Sequence, residues 1–147
     1  MSTYLGTTVD QVRFQVERGK IAEFARATGA LDPRHVDPEA ARADGHAGAL
    51  ATATHVVVAG HQRDQRGFVA ALGLDITRIV VGSVTWTYAR PLVAGDELVG
   101  TRRVVGDETR QGRSGTNRLV TLETEFVDAA GDVAVRQREV LVERGRS

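Results

Sequence analysis

Residues 118–144, RLVTLETEFVDAAGDVAVRQREVLVER, contain the pattern that decides the fold. Their first part alternates two sets of side chains: Val120, Leu122, Thr124 and Phe126 against Leu119, Thr121, Glu123 and Glu125. A period of two residues predicts a β-strand, because successive side chains of a strand point to opposite faces of the sheet. The AAGD stretch predicts a tight turn, and VAVRQREVLVER predicts a second strand that pairs with the first.

Two segments upstream predict two further strands. Residues 78–91 (RIVVGSVTWTYARP) alternate large apolar residues with serine and threonine. Residues 96–108 (DELVGTRRVVGDE) follow a Gly-Asp turn, and the polar residues 107–117 predict the connection to the hairpin. The C-terminal half therefore predicts a meander of at least four antiparallel strands.

The N-terminal half predicts helices. Residues 16–30 (VERGKIAEFARATGA) carry apolar side chains at helical spacing and end near a glycine, which stops helices. Residues 37–45 (DPEAARADG) predict a short helix with an aspartate N-cap. Residues 52–65 (TATHVVVAGHQRDQ) fit a buried helix or a strand, and their composition favours a helix that begins near Thr52 or Thr54.

The order of these elements predicts an α+β fold. One edge strand at residues 12–16 precedes the helices, and the other strands follow them, which argues against a parallel βαβ sheet. A long apolar helix followed by a curved antiparallel sheet suggests that the sheet wraps around this central helix. The 147 residues fit a single domain.

The charge balance and the absence of cysteine exclude several classes of function. Lys+Arg and Asp+Glu both total 19, so nothing indicates binding to nucleic acid or to an anionic membrane. Without cysteine there is no disulfide, thiol nucleophile or Cys-ligated zinc. The N-terminus lacks a signal peptide and the most apolar run is too short to span a membrane, so we expect a cytoplasmic protein.

Two long segments resemble one protein family. Residues 88–144 are similar to the sheet half of MaoC-like dehydratases, and residues 16–51 resemble the front half of the same family. The resemblance is to the N-terminal, fatty-acid-synthase-like dehydratase domain branch, which includes accessory subunits of mycobacterial hydroxyacyl-ACP dehydratases. It implies a hotdog fold, in which an antiparallel sheet wraps a long central helix, and pairing into homodimers or heterodimers. It also implies an acyl-CoA or acyl-carrier-protein substrate and no cofactor.

The family's catalytic motif, G-D-x-N-P-x-H, is altered in this chain. It falls on residues 29–35, GALDPRH, where the proline and His35 are kept. Ala30 stands in place of the catalytic aspartate, and Asp32 in place of the asparagine. Dehydration needs a base, an acid and a donor for the enolate oxygen. Loss of the acid–base carboxylate is therefore expected to lower the rate by about 10²–10⁴-fold unless another group substitutes.

The predicted catalytic residues are His35 and Asp32. His35 would act as the base, and Asp32 as a replacement acid or as the group that orients His35. A cap of the turn before the proline is at least as good an interpretation of Asp32. Proton transfer needs heavy atoms about 2.6–3.2 Å apart, and the carboxylate lies two residues from its place in the motif.

The predicted substrate-binding residues are Ala53, Thr54 and His55. The resemblance puts the enolate oxygen at the start of the central helix, where Ala53 offers a backbone N–H and the helix dipole favours negative charge. Thr52 or Thr54 could cap the helix, and His55 takes a position that is commonly aromatic in the family and would line the pocket. The four histidines fit no standard ligand spacing, so we expect no metal site.

Three interpretations of the function follow. The first is an active dehydratase or hydratase that interconverts (3R)-hydroxyacyl and trans-2-enoyl thioesters. The second is a catalytically silent accessory subunit that binds the acyl chain in a heterodimer with an active MaoC-like partner, and the Ala30 substitution supports it. The third is a tailoring enzyme of secondary metabolism, in which the pocket serves cyclisation or isomerisation.

Overall fold

The computed structural model describes residues 2–113 and 115–145, which form a five-stranded antiparallel sheet with helices. The strands are β1 (Thr8–Gln15), β2 (Ile79–Tyr88), β3 (Glu97–Gly112), β4 (Gly115–Val127) and β5 (Val133–Glu143). The α-helices are α1 (Arg18–Thr28), α2 (Pro38–Ala43) and α3 (Gln65–Ala71), and 3₁₀ helices cover Pro33–His35, His55–Gln62 and Ile76–Arg78. The predicted α+β class is confirmed. None of the described helices has the length and hydropathy needed to cross a membrane.

The strand order departs from the predicted meander. The sheet runs β1-β3-β4-β5-β2, so β2 pairs with β5 and not with β3. The predicted pairing of the first two meander strands is therefore wrong, whereas the pairing of β3 with β4 and of β4 with β5 is as predicted. The period of a segment predicts that it is a strand, but long-range packing decides which strand it pairs with.

The polar segment 107–117 belongs mostly to strands rather than to a loop. β3 continues to Gly112 and β4 starts at Gly115, with cross-strand pairs such as Thr109 with Arg118 in regular register. The prediction of a long connection here was wrong, because polar residues in a hairpin that is exposed on both faces show no apolar alternation.

The first two helices begin and end where the sequence predicts. α1 is followed by Gly29, whose φ of 71° lies in the left-handed region that a helix end favours. The Asp37 carboxylate accepts a hydrogen bond of 3.0 Å from the backbone N–H of Glu39, which caps α2. These two local signals fix the loop between α1 and α2, which carries the altered motif.

The central helix is shorter and tighter than expected. It is a 3₁₀ helix from His55 to Gln62, and extended backbone at Arg63 separates it from α3. The three valines at 56–58 and Gly60 have low helix propensity, and Asp64 caps a new helix by accepting from Gly67 at 2.9 Å. The segment still packs on the sheet, because Val56 and Ala59 are buried in the main core cluster.

A buried charge network joins this helical segment to the sheet. Arg102 of β3 is 3% exposed, and its guanidinium lies 2.5 Å from Asp10 of β1 and 2.9 Å from Glu139 of β5. Arg63 pairs with the same Asp10 carboxylate, and the Arg102 guanidinium stacks 3.9 Å above the Phe68 ring of α3. Because charges leave water only when they are paired, this network holds the sheet and the helices in one arrangement.

Candidate functional site

A cavity of about 530 Å³ opens where the loop after α1 meets the end of β2. Its wall is formed by Asp32, Arg34 and His35 of the motif loop, by His46, by residues 50–53 and by residues 88–92. The motif loop contributes titratable side chains, whereas residues 50–53 are mostly small. Such a wall combines room for an acyl chain with a few polar groups that can fix its orientation.

His35 reaches the cavity wall from the 3₁₀ helix Pro33–His35. The side chain is 8% exposed, and its Nδ1 lies 2.6 Å from the carbonyl oxygen of Leu50. A carbonyl oxygen only accepts hydrogen bonds, so Nδ1 must carry the proton. In the neutral ring Nε2 then has the free lone pair, which allows His35 to act as a base.

Asp32 caps the turn in front of His35. Its carboxylate accepts the backbone N–H of Arg34 at 2.9 Å and is bonded by the Arg34 guanidinium at 2.6–3.1 Å. These bonds from Arg34, those of the side chain most of all, lower the pKa of Asp32 to about 2. An ionised carboxylate held by Arg34 does not favour a replacement acid. Among the described residues it makes no hydrogen bond to His35, so these contacts support neither catalytic role predicted for Asp32.

Ala53 presents a backbone N–H at the cavity wall. The preceding carbonyl, of Thr52, accepts from the N–H of His55 at 3.1 Å and opens the central helix. In a trans peptide the N–H points opposite to the C=O, so the Ala53 N–H points away from the helix. Within the described part of the chain it donates to no acceptor, and it is available to an oxyanion.

Tyr88 fixes the peptide group between Ala53 and Thr54. Its hydroxyl donates a hydrogen bond to the carbonyl of Ala53, and burial raises the pKa of Tyr88 to about 12. A neutral phenol at physiological pH keeps this bond intact. The end of β2 thus holds the start of the central helix in place beside the motif loop.

Thr54 and His55 lie outside the cavity wall. Thr54 is exposed and its side chain makes no capping hydrogen bond. His55 is fully buried, with its ring 5.9 Å from that of Phe14 and 5.5 Å from that of Phe24. The expectation that His55 lines the pocket is wrong, because the helix directs this ring into the core. Burial lowers the pKa of His55 to about 4, and neither ring nitrogen has a hydrogen-bond partner in the described residues.

Several residues of the cavity wall were not predicted as site residues from the sequence. His46, Tyr88 and Arg90 come to the wall from separate elements, and no local pattern brings those elements together. Arg90 pairs with Asp96 at 2.9 Å and Asp128 at 3.2 Å. Thr52 lines the cavity with a buried hydroxyl that lacks a partner in the described residues.

Among the residues that the structure describes, no group of three His, Asp or Glu side chains could hold a metal ion.

Comparison with known proteins identifies the family. A family model described as the FAS1-like dehydratase domain region matches residues 3–137. The chain belongs to this dehydratase-domain family. A UPF0336 protein of Clavibacter michiganensis subsp. michiganensis is 44% identical over 133 residues, which are 90% of this chain and 87% of the relative. The resemblance predicted from the sequence is confirmed.

Solved structures of two dehydratases share the fold. A chain of the C-terminally truncated HadBC (3R-hydroxyacyl-ACP dehydratase) complex of Mycobacterium tuberculosis has a TM-score of 0.78 at 23% identity, over 96% of this chain and 98% of that one. A MaoC-like dehydratase has a TM-score of 0.82 at 26% identity, over 96% of this chain and 42% of that one. The five-stranded sheet and its central helix are therefore a hotdog fold.

Proposed function

We propose that the chain binds an acyl thioester in the cavity beside His35 and interconverts (3R)-hydroxyacyl and trans-2-enoyl thioesters. The observation that carries this proposal is the hydrogen bond of 2.6 Å between Nδ1 of His35 and the Leu50 carbonyl. It leaves Nε2 as a base on the wall of a cavity of about 530 Å³. Membership of a dehydratase-domain family supports the same reaction class.

The chemistry divides between His35 and Ala53. In the dehydration direction, Nε2 of His35 takes the proton from the carbon next to the thioester carbonyl, which is worth about 10²–10⁴-fold in rate. The developing enolate oxygen accepts a hydrogen bond from the Ala53 N–H, a contribution of about 10²–10³-fold. The C–O bond at the third carbon then breaks, and the leaving hydroxide takes a proton from a second, acidic group of the cavity and departs as water.

A second candidate function is that of an accessory subunit. Ala30 offers no carboxyl group and is absent from the cavity wall, and Arg34 holds Asp32 as an ion. The HadBC structure is a complex of a 3R-hydroxyacyl-ACP dehydratase, which is consistent with a paired arrangement. In this case the chain would shape the acyl site while a partner supplies the intact aspartate and histidine.

A surface for such a partner lies at β2. Among the described residues β2 pairs with β5 on one side only. Val81 on this strand is 59% exposed, and Val57 of the central helix is 44% exposed. Both valines line a cavity that is separate from the one beside His35. An open strand edge with exposed valines is an aggregation hazard unless another chain covers it. We therefore expect a homodimer or a heterodimer.

A hydration assay separates the two candidates. Trans-2-enoyl-CoA is given to the purified chain, to its His35→Gln variant, and to the chain mixed with an active MaoC-like subunit. Activity of the chain alone that falls about 10²-fold or more in His35→Gln supports the enzyme. Activity that needs the partner and survives His35→Gln supports the accessory subunit. No activity in any mixture contradicts both.

A further inference from the structure

We propose that His46 is the second proton-transfer group of the cavity and acts as the acid in place of the family's aspartate, which is Ala30 here. This inference rests on the proposed enzymatic function, since it names the partner of the His35 base. His46 lies on the same cavity wall as His35, although it precedes the central helix and stands outside the catalytic motif.

The other polar side chains on the wall are unsuited to give up a proton: Arg34 is paired with Asp32 and Asp44, and the Thr52 hydroxyl is an alcohol and so a very weak acid. Asp32 is held ionised by Arg34, and Arg90 is held by two aspartates. The Tyr88 hydroxyl is committed to the Ala53 carbonyl, and its pKa of about 12 makes it a poor acid. Histidine exchanges protons in the physiological pH range, which leaves His46 as the suitable donor on the described wall.

The end of α2 fixes the position of His46. Gly45 has a φ of 85° and its N–H bonds to the Arg42 carbonyl at 3.0 Å. The N–H of His46 bonds to the Ala41 carbonyl at 3.0 Å, which completes the hydrogen-bond pattern of a Schellman motif. The backbone of His46 is therefore anchored, and its side chain, 21% exposed, turns to the cavity wall.

A carboxylate stands beside the His46 ring. Nε2 of His46 lies 3.4 Å from an Asp44 oxygen, and Asp44 is bonded by Arg34, which also binds Asp32. The Asp44 carboxylate therefore stands at Nε2, where it pairs with the ring in the form that carries both ring protons. Nδ1 of His46 has no hydrogen-bond partner among the described residues and is not among their buried unpartnered atoms. The charged and titratable groups that share the wall with His46 are Asp32, Arg34, His35, Tyr88 and Arg90.

The proposed step balances with the two histidines. His35 takes the α-proton, and the electron pair of that C–H bond forms the carbon–carbon double bond through the enolate. The C–O bond at the third carbon breaks, and the leaving hydroxide takes a proton from His46 to become water. His35 ends protonated and His46 neutral, and exchange with solvent restores both. Hydration is the reverse sequence.

A binding experiment tests His46 without requiring turnover. The probe is the amide analogue of (3R)-hydroxybutyryl-pantetheine, in which nitrogen replaces the sulfur, and the matched probe is the butyryl amide without the hydroxyl. Ring nitrogen signals are followed by NMR in the chain labelled at histidine nitrogen and assigned with single His→Gln variants. We expect the hydroxyl probe to move the His46 signals and the butyryl probe to leave them in place. His61 is the internal control, because it is exposed and outside this cavity.

The possible results separate this inference from the proposed function. If the hydroxyl probe moves the His35 signals and leaves those of His46 unchanged, His46 is not the acid, while the thioester site stands. If neither probe binds, the proposed function fails and the inference fails with it. Movement of the His46 signals by both probes alike would mean contact with the acyl chain and not with the hydroxyl, which also overturns the inference.

Kinetics of the active preparation, alone or with a partner, give an independent readout. His46→Gln is expected to lower the dehydration rate about 10²-fold, the usual contribution of a general acid. It should also change the pH profile of the rate, because the proton donor is lost. The matched control, His61→Gln, should keep both the rate and the pH profile. A His46→Gln variant with wild-type rate and profile would overturn the proposal.

Discussion

Arg34 donates hydrogen bonds to both carboxylate oxygens of Asp32. Its Nε lies 3.0 Å from one oxygen, and its backbone nitrogen lies 2.9 Å from the other. We predict that Asp32→Asn keeps hydration activity within a few-fold of wild type, because asparagine caps a helix start about as well as aspartate. Initial rates with trans-2-enoyl-CoA check this. A loss of about 10²-fold or more would mean that the carboxylate takes part in proton transfer after all.

Tyr88 is predicted to position the oxyanion donor. Tyr88→Phe removes the hydrogen bond to the Ala53 carbonyl, so the segment that carries the Ala53 N–H is held less firmly. A single hydrogen bond contributes about 0.5–1.5 kcal/mol, so we expect kcat to fall by up to about tenfold with little change in KM. Trp86→Phe, which loses a bond of 3.1 Å to Gln137 outside the cavity, is the matched control. A much larger loss, or a change confined to KM, would argue that Tyr88 contacts the substrate instead.

His55 is predicted to make the fold sensitive to acid. Burial lowers its pKa from 6.5 to about 4, so the unfolded chain takes up a proton at a higher pH than the folded chain does. Stability is therefore lost as the pH falls from 6.5 towards 4, by about 3 kcal/mol in total at 1.36 kcal/mol for each pKa unit. His55→Phe keeps an aromatic ring at this position and removes the group that takes up a proton.

Urea unfolding of both forms, near neutral pH and again just above pH 4, measures the effect of His55. We expect the wild type to lose more stability than His55→Phe between the two conditions. Equal losses in the two proteins would show that His55 is already protonated, or solvated, in the folded state.

The buried network around Arg102 is predicted to be essential for stability. Arg102→Met removes the cation and leaves the Asp10 and Glu139 carboxylates short of a partner. Breaking a buried pair in this way costs about 3–5 kcal/mol. Lys20→Met is the control, because Lys20 forms an exposed pair with Glu23 that is worth about 0.5 kcal/mol or less. Urea midpoints at neutral pH give both values, and similar midpoints for the two variants would contradict the prediction.

The open edge of β2 is predicted to be the pairing surface. Val81→Glu puts a charge beside the unpaired strand edge, and charges on strand edges oppose pairing. We expect light scattering after gel filtration to give a lower mass for this variant than for the wild type. Val105→Glu is the matched control, since Val105 is exposed on β3 away from that edge. A wild-type protein that is monomeric, or a Val81→Glu variant of unchanged mass, would contradict the prediction.

The sequence predicts the strands well because their signal is local. Val120, Leu122 and Phe126 alternate with polar residues, and β4 buries these three side chains. The Asp37 cap and the Gly29 stop are local as well, and the structure contains both. The pairing of β2 with β5 has no such signal, because it depends on packing between residues far apart in the chain.

The cavity is harder to predict than the fold for the same reason. The family motif draws attention to His35, and the structure puts that residue on the wall. For His46 and His55 the sequence gives only the residue type, whereas function depends on the direction of the ring. His46 faces the cavity because a Schellman motif sets its backbone, and His55 faces the core because the central helix turns it inward. The role of Asp32 likewise depends on its neighbour Arg34, which completes the pair.

The sheet order also governs how a newly made chain reaches its native state. β2 leaves the ribosome before β3 and β4, yet its partner is β5, the final strand. Until translation reaches that strand, β2 has no neighbour, and its valines are open to contact with other nascent polypeptides. Contacts between distant parts of a chain slow folding and lengthen the interval in which aggregation competes. Strand β5 therefore completes the described sheet, and we expect its late synthesis to lengthen the interval in which β2 is exposed.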